Sequence, residues 1–188
     1  MKHSILAAVS IAALALSACG SNTAPDADAT PTAAATDDMA MAPDATAASS
    51  GQMFANTAAT SDMFEIESSR LAATKASSAQ VKSFAQEMIK AHTDASAKLT
   101  TAAGAATPAI TPAPAMSAMQ QQAMADLNAK TGADFDAAYI KAQTDGHQMT
   151  LDALKAYAAS GDVASLKAFA TEMVPIVTAH LNMAKGLK

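Results

Sequence analysis

The chain has 188 residues and a formal net charge of −5, and it is 51% hydrophobic yet only 4% aromatic, with no tryptophan. From position 51 onward 12 acidic residues stand against 11 basic ones and no Lys or Arg run interleaves with aromatics, which excludes an electrostatic footprint for nucleic acid. Cys19 is the only cysteine, so one chain cannot build a disulfide, a CxxC redox pair, a zinc knuckle or a thiolate-held iron–sulfur cluster.

Lys2 and His3 precede an apolar run over residues 5–16. The run is too short to span a bilayer as a mature helix, and residues 1–18 read as a signal peptide. Its ending, Leu16-Ser17-Ala18-Cys19, resembles the bacterial lipobox. The resemblance implies cleavage before Cys19, a diacylglycerol on its sulfur and acylation of the new amino terminus. More than one acyl chain converts marginal membrane binding into stable attachment. Gly20 and Ser21 follow with no Asp, a sorting pattern that implies the periplasmic face of the outer membrane. Residues 21–50 are Ala, Thr, Pro, Asp and Ser-rich and contain no Lys or Arg, so the stretch is expected to be a disordered acidic spacer. Met39 and Met41 within it form a Met-x-Met that could hold a soft metal, and in an Ala-rich tether the pair reads as incidental.

Residues 51–188 suffice for one domain with a core of its own. The first helix is predicted from Gly51 or Gln52 to Lys75, with Met53, Thr57, Thr60, Phe64, Glu67 and Leu71 broadly on one side and Glu65 and Arg70 pointing elsewhere. Two threonines leave that stripe thin. Glu67 stands at its edge, where a carboxylate must reach solvent, a donor or a cation, so it reads either as a rim residue or as a ligand. Residues 76–79 make a turn with Ser77 or Ser78 as N-cap. Over residues 78–103 the apolar positions Val81, Phe84, Ala85, Met88, Ala95 and Leu99 recur at steps of three and four, a helical stripe that includes His92.

Pro108, Pro112 and Pro114 break the chain over residues 104–114, predicting a crossover or hairpin loop before a short helix over residues 115–130. Met116 and Met119 in that helix could offer thioethers to copper or simply fill gaps beside Ala. A long helix is predicted over residues 133–160, burying Phe135, Tyr139, Ala142, His147, Leu151, Leu154 and Ala158, with Gly146, costly in a helix interior, permitting close backbone approach. The last helix carries Leu166, Phe169, Ala170, Met173, Ile176, Val177, His180, Met183, Ala184 and Leu187 on its apolar side, and Pro175 is expected to bend it. Its opening, LKAFATEM from Leu166, nearly repeats VKSFAQEM from Val81, which suggests equivalent places in one helical bundle.

Three of the four histidines, His92, His147 and His180, thus fall on apolar stripes of three helices, and Glu67 lies at the margin of the fourth. Should these faces converge at one depth, one carboxylate and three imidazoles would surround a divalent cation, a set compatible with zinc, iron, manganese or copper, with Met88 or Met183 as further donors. The Glu-x-x-His signature of carboxylate-bridged di-iron bundles is absent, because the glutamates that precede His92 and His180 stand five residues (Glu87) and eight residues (Glu172) before them. No nucleophilic triad, phosphate-binding loop or nucleotide fingerprint stands out, and nothing points to a hydrolase or transferase.

The segments EIESSRLAATKASSAQVKSFAQEMIKAH, GADFDAAYIKAQTDGHQ and GDVASLKAFATEMVPIVTAH together resemble a bacterial family catalogued only as a domain of unknown function, whose members look like ferritin-like helical domains of exported or outer-membrane proteins. The resemblance implies an all-α, ferritin-like four-helix bundle with an additional short helix in the crossover. It carries over Glu65 or Glu67, then Phe84, Ala85, Met88 and His92, then Phe135, Tyr139 and His147, and finally Pro175 and His180. This chain has Ala91 where many members have an acidic residue before the histidine. Two functions are expected from these observations. The first is a noncatalytic, lipid-tethered binding or envelope-stress accessory module, attached to the membrane through Cys19 and facing an envelope protein partner. The second is a metal-binding or redox bundle.

Overall fold

A computed structural model describes residues 48–188. The signal sequence, Cys19, Met39, Met41 and all but the end of the spacer lie outside the described residues. Five helices and no strand occur among the described residues: α1 (Ser50–Lys75), α2 (Ala79–Gly104), α3 (Ala118–Ala129), α4 (Gly132–Ser160) and α5 (Ala164–Gly186). None of them is long and apolar enough to cross a membrane.

Local chemistry sets the boundaries. Ser49 caps α1 by accepting from the Gln52 amide at 3.1 Å. Ser117 and Gln120 satisfy each other's backbone donors in a capping box, which starts α3 three residues later than the apolar pattern suggests. The α2 N-terminus is capped from a distance: the Asp136 carboxylate, on α4, accepts from the Ser77 and Ser78 amides at 3.0 and 2.8 Å. Ser78 is the N-cap position, yet its own side chain makes no capping bond. Pro175 lies inside α5, which continues past it.

Helices α1 and α2 form one hairpin and α4 and α5 another, with α1 laid against α4 and α2 against α5. Ser61 meets Thr150 and Ser69 meets Tyr139, so α1 and α4 are antiparallel. Lys98 meets Glu172 and Ser165 meets the Ala102 carbonyl, so α2 and α5 are antiparallel too. It follows that α2 and α4 run the same way, and the chain between them must return the length of the bundle. It does so along α1, where Gln52, Asn56, Thr60 and Lys75 hydrogen-bond in turn to the backbone of Thr111, Ala113, Ala115 and Leu127. A four-helix bundle with one long crossover is the ferritin-like arrangement. The two copies of the short repeat each open the second helix of a hairpin. Because the hairpins are antiparallel, Phe84 and Phe169 fall in separate apolar clusters.

Those clusters are the two ends of the core. One gathers Phe54, Leu99, Leu154, Tyr157, Leu166 and Phe169, with Phe54 stacked on Tyr157 at 3.9 Å between ring centroids. The other gathers Val81, Phe84, Met88, Leu127, Phe135 and Tyr139. Burying each large apolar side chain contributes about 1.5–3 kcal/mol. Between the clusters the core turns polar.

One predicted face is corrected. The buried stripe of α1 is Ala55, Ala58, Asp62, Glu65, Ser69 and Ala72, while Met53 and Thr57 face solvent and Glu67 is only partly covered. Phe64 is buried as expected, but the helix is turned so that carboxylates and small residues look inward. The stripes of the other long helices agree more closely, although Met183 is exposed and Gln143 and Tyr157 join the buried face of α4.

Candidate metal centre

Each long helix places polar side chains at core positions between the apolar ends: Asp62 and Glu65 from α1, His92 from α2, Gln143 and His147 from α4, and His180 from α5. The three imidazoles face one another, with ring centroids 5.4 to 5.7 Å apart. One ring nitrogen from each lies within 4.8 Å of the other two. Tetrahedral coordination at ~2.1 Å puts ligand nitrogens ~3.4 Å apart, so closing on an ion asks for ring tilts of about an ångström.

Hydrogen bonds set which nitrogens remain free. His92 Nδ1 pairs with Asp62 Oδ1 at 2.8 Å, and Ser96 Oγ donates to the other carboxylate oxygen at 3.2 Å. His147 Nδ1 donates to the Gln143 carbonyl at 2.9 Å. These bonds orient the rings from behind and leave the Nε2 atoms to face inward, the arrangement that outer partners impose on metal-binding histidines. His92 Nε2, His147 Nε2 and His180 Nδ1 are buried with no hydrogen-bond partner.

Glu65 lies beside the triad rather than within ligand distance of all three rings, with Oε1 3.5 Å from His147 Nδ1. It is 1% exposed, and neither of its oxygens has a hydrogen-bond partner. The Gln143 amide is close by but donates to Ser68 Oγ at 3.2 Å. Gly146 makes room for the carboxylate, since a Cβ there would stand 2.9 Å from Glu65 Oε1. Glu67, the carboxylate singled out from sequence, does not reach this cluster. Its side chain is 46% exposed and pairs with Arg70 at 2.8 Å. Of the methionines considered as donors, Met88 packs in an apolar cluster, and Met119 and Met183 are exposed.

Burial pushes Glu65 up to about 7, against the opposing pull of a charged His92 and the Gln143 amide. Burial and the His92 charge hold His147 down at about 3 and His180 at about 4. For His92, burial alone would lower the pKa, but the Asp62 hydrogen bond and the Glu65 and Asp62 charges together outweigh it and raise it. The layer therefore contains two imidazoles held neutral, with lone pairs available, beside two carboxylates.

Asp62 and Gln143 are the members of this layer that sequence reasoning left out, and Glu65 entered it only as the alternative to Glu67 that the family resemblance offers. For Asp62 and Glu65 the signal is register: Ala55, Ala58, Asp62, Glu65, Ser69 and Ala72 repeat at alternating steps of three and four, a core spacing filled with residues that do not look like core.

Fold and site together define a ferritin-like helical bundle with a buried histidine triad. The chain matches the family described as "Domain of unknown function (DUF4142)" over residues 35–187, and belongs to it. Two solved structures share the fold. CopM in the Cu(I)-bound form aligns with a TM-score of 0.61 at 16% identity, covering 74% of this chain and 95% of that one. CopM in the Ag-bound form aligns with a TM-score of 0.58 at 16% identity, covering 72% and 93%. No curated protein matches the sequence.

Proposed function

We propose that this protein is an exported, lipid-tethered module that binds one transition-metal ion among His92, His147 and His180, with Glu65 beside it. The observation that carries the reading is the set of three inward ring nitrogens, buried together without partners. Leaving a polar atom buried and unsatisfied costs about 1–3 kcal/mol, and an ion bound by all three nitrogens, with the His92 proton released to solvent, removes that cost at once. Imidazoles flanked by a carboxylate, with no cysteine among the described residues, suit Cu, Zn, Fe or Mn rather than a hard oxygen-seeking ion. Copper comes first, because imidazole serves both of its oxidation states, Cu(II) tops the divalent affinity order, and the CopM structures of similar fold hold Cu(I) and Ag. The tether rests on the Leu16-Ser17-Ala18-Cys19 ending alone.

Elemental analysis of the full chain, purified without a metal-binding tag and exposed in turn to copper, zinc, iron and manganese, tests the site. One equivalent of metal is expected, lost in His92→Ala, His147→Ala and His180→Ala. Metal-free protein after all four exposures would overturn the reading and leave three core histidines in a scaffold. Cys19→Ala is expected to release the chain from the membrane fraction, and retention there would remove the lipid anchor.

A further inference from the structure

A groove of about 690 Å³ runs between α1, α4 and the returning crossover. Small residues, Ala, Thr and Ser, make up most of its walls together with Phe64, and Met119 and Met149, 67% and 59% exposed, stand along it. Among the described residues the charged side chains lining it are both acidic, Glu65 and Asp145. Glu65 is the one residue that belongs to both the groove and the polar layer, lining the first and lying 3.5 Å from His147 Nδ1 in the second. The partition between them is thin at Gly146, which also lines the groove and where a single methyl would crowd Glu65 Oε1 to 2.9 Å.

We infer that the groove is the access route of the metal ion, and that Glu65 is the transfer ligand that takes the cation from the groove and passes it to the histidines. This rests on the metal-binding reading above. A histidine layer closed at both ends by apolar clusters can be reached only from the side, and a side route must offer donors that a partly dehydrated cation can exchange for its waters. The groove offers thioethers on its walls and, at its floor, a carboxylate with both oxygens unpartnered. Glu65 also accounts for Gly146: a Cβ at that position would stand 2.9 Å from Oε1, so a side chain there would displace the carboxylate.

A route differs from a ligand in its kinetics. Blocking a route slows loading and release alike and leaves affinity unchanged, whereas removing a ligand weakens affinity. Co(II) provides a visible probe, followed by its absorption on mixing with the full metal-free chain and on later transfer to a chelator. Ala123→Phe adds a ring to the α3 side of the groove. It is expected to slow both association and release by about tenfold, with stoichiometry and dissociation constant unchanged. Gly146→Ala displaces the flexible end of Glu65 and is expected to slow association to a similar extent with one Co(II) still bound. Wild-type rates in both variants, with Co(II) bound, would overturn the route while the metal site stands. A wild-type chain that binds no Co(II), copper, zinc, iron or manganese would overturn both. Circular dichroism melting of each variant separates a blocked groove from an unfolded bundle, and should Ala123→Phe fail to fold, Ala153→Leu on the opposite wall serves in its place under the same two outcomes.

Discussion

The apolar layer around Tyr139 and the histidine layer beside it both contain buried polar groups, and they treat them oppositely. Near the first, the Tyr139 hydroxyl meets Ser69 Oγ at 2.7 Å, and Asp136 accepts from the amides of Ser77 and Ser78. In the second, Glu65, Gln143 and all three histidines keep buried atoms with no partner. The same chain satisfies polar groups a turn or two away, so the deficit is specific to one level of the bundle. An unsatisfied level is tolerable when a ligand completes it, and the two levels should therefore respond to different perturbations, one through stability and the other through metal.

The largest separation is expected from Phe135→Ala. Phe135 is fully buried in the Tyr139 layer, and its truncation should cost about 3–5 kcal/mol in urea unfolding while the surviving folded protein still binds one metal ion. Loss of metal at constant folded fraction would break the distinction. Next is Asp62→Asn, which removes the carboxylate that orients His92 from behind. Metal affinity read by chelator competition should weaken about 10- to 100-fold. An unchanged affinity would detach the Asp62–His92 pair from the site.

The pH dependence of the metal-free protein sharpens the same comparison. His147 and His180 have folded values of about 3 and about 4, below the ordinary 6.5, so the unfolded chain takes up these protons first. Stability is consequently lost as pH falls from about 6.5 toward 4. Glu65 works the other way: raised to about 7 from 4.5, it favours the folded state while protonated, and that contribution is lost as pH rises through about 7. His92, also raised, likewise favours the folded state on the acid side of its folded value. Two imidazoles outweigh one carboxyl between pH ~4.5 and ~6.5, so stability falls toward acid there, and Glu65→Gln should steepen the fall. Urea midpoints at several pH values check this, and a flat profile in both proteins would remove burial as the cause. The smallest effect belongs to Tyr139→Phe, which loses the bond to Ser69. It should cost about 1 kcal/mol in thermal unfolding and leave metal binding untouched.

Much of this architecture was legible in the residues. The stripe of α2 was complete down to His92, because Val81, Phe84, Met88 and Leu99 contrast sharply with the polar residues between them. His147 and His180 were placed on buried faces for the same reason. On α1 that contrast vanishes. Alanine serves core and surface equally, and Asp62 and Glu65 occupy inward positions that a hydrophobic pattern assigns to solvent, so the pattern points to the side of α1 that carries Glu67 while the helix buries Glu65. Gly146 signals close backbone approach in the sequence, but what approaches it is a side chain, the Glu65 carboxylate of another helix.

The sequence by itself determined the helices, their breaks and the three inward histidines, since a 3.6-residue period and the chemistry of Pro, Gly and Ser caps act within a few residues of chain. Only the tertiary structure decided that the histidines share one depth, that Asp62 and Asp136 reach across to partners about 30 and about 59 residues away, and that the crossover walls a groove against Glu65. Axial depth and helix rotation depend on how two hairpins settle against each other, a balance of packing over the whole core that no local window of sequence contains.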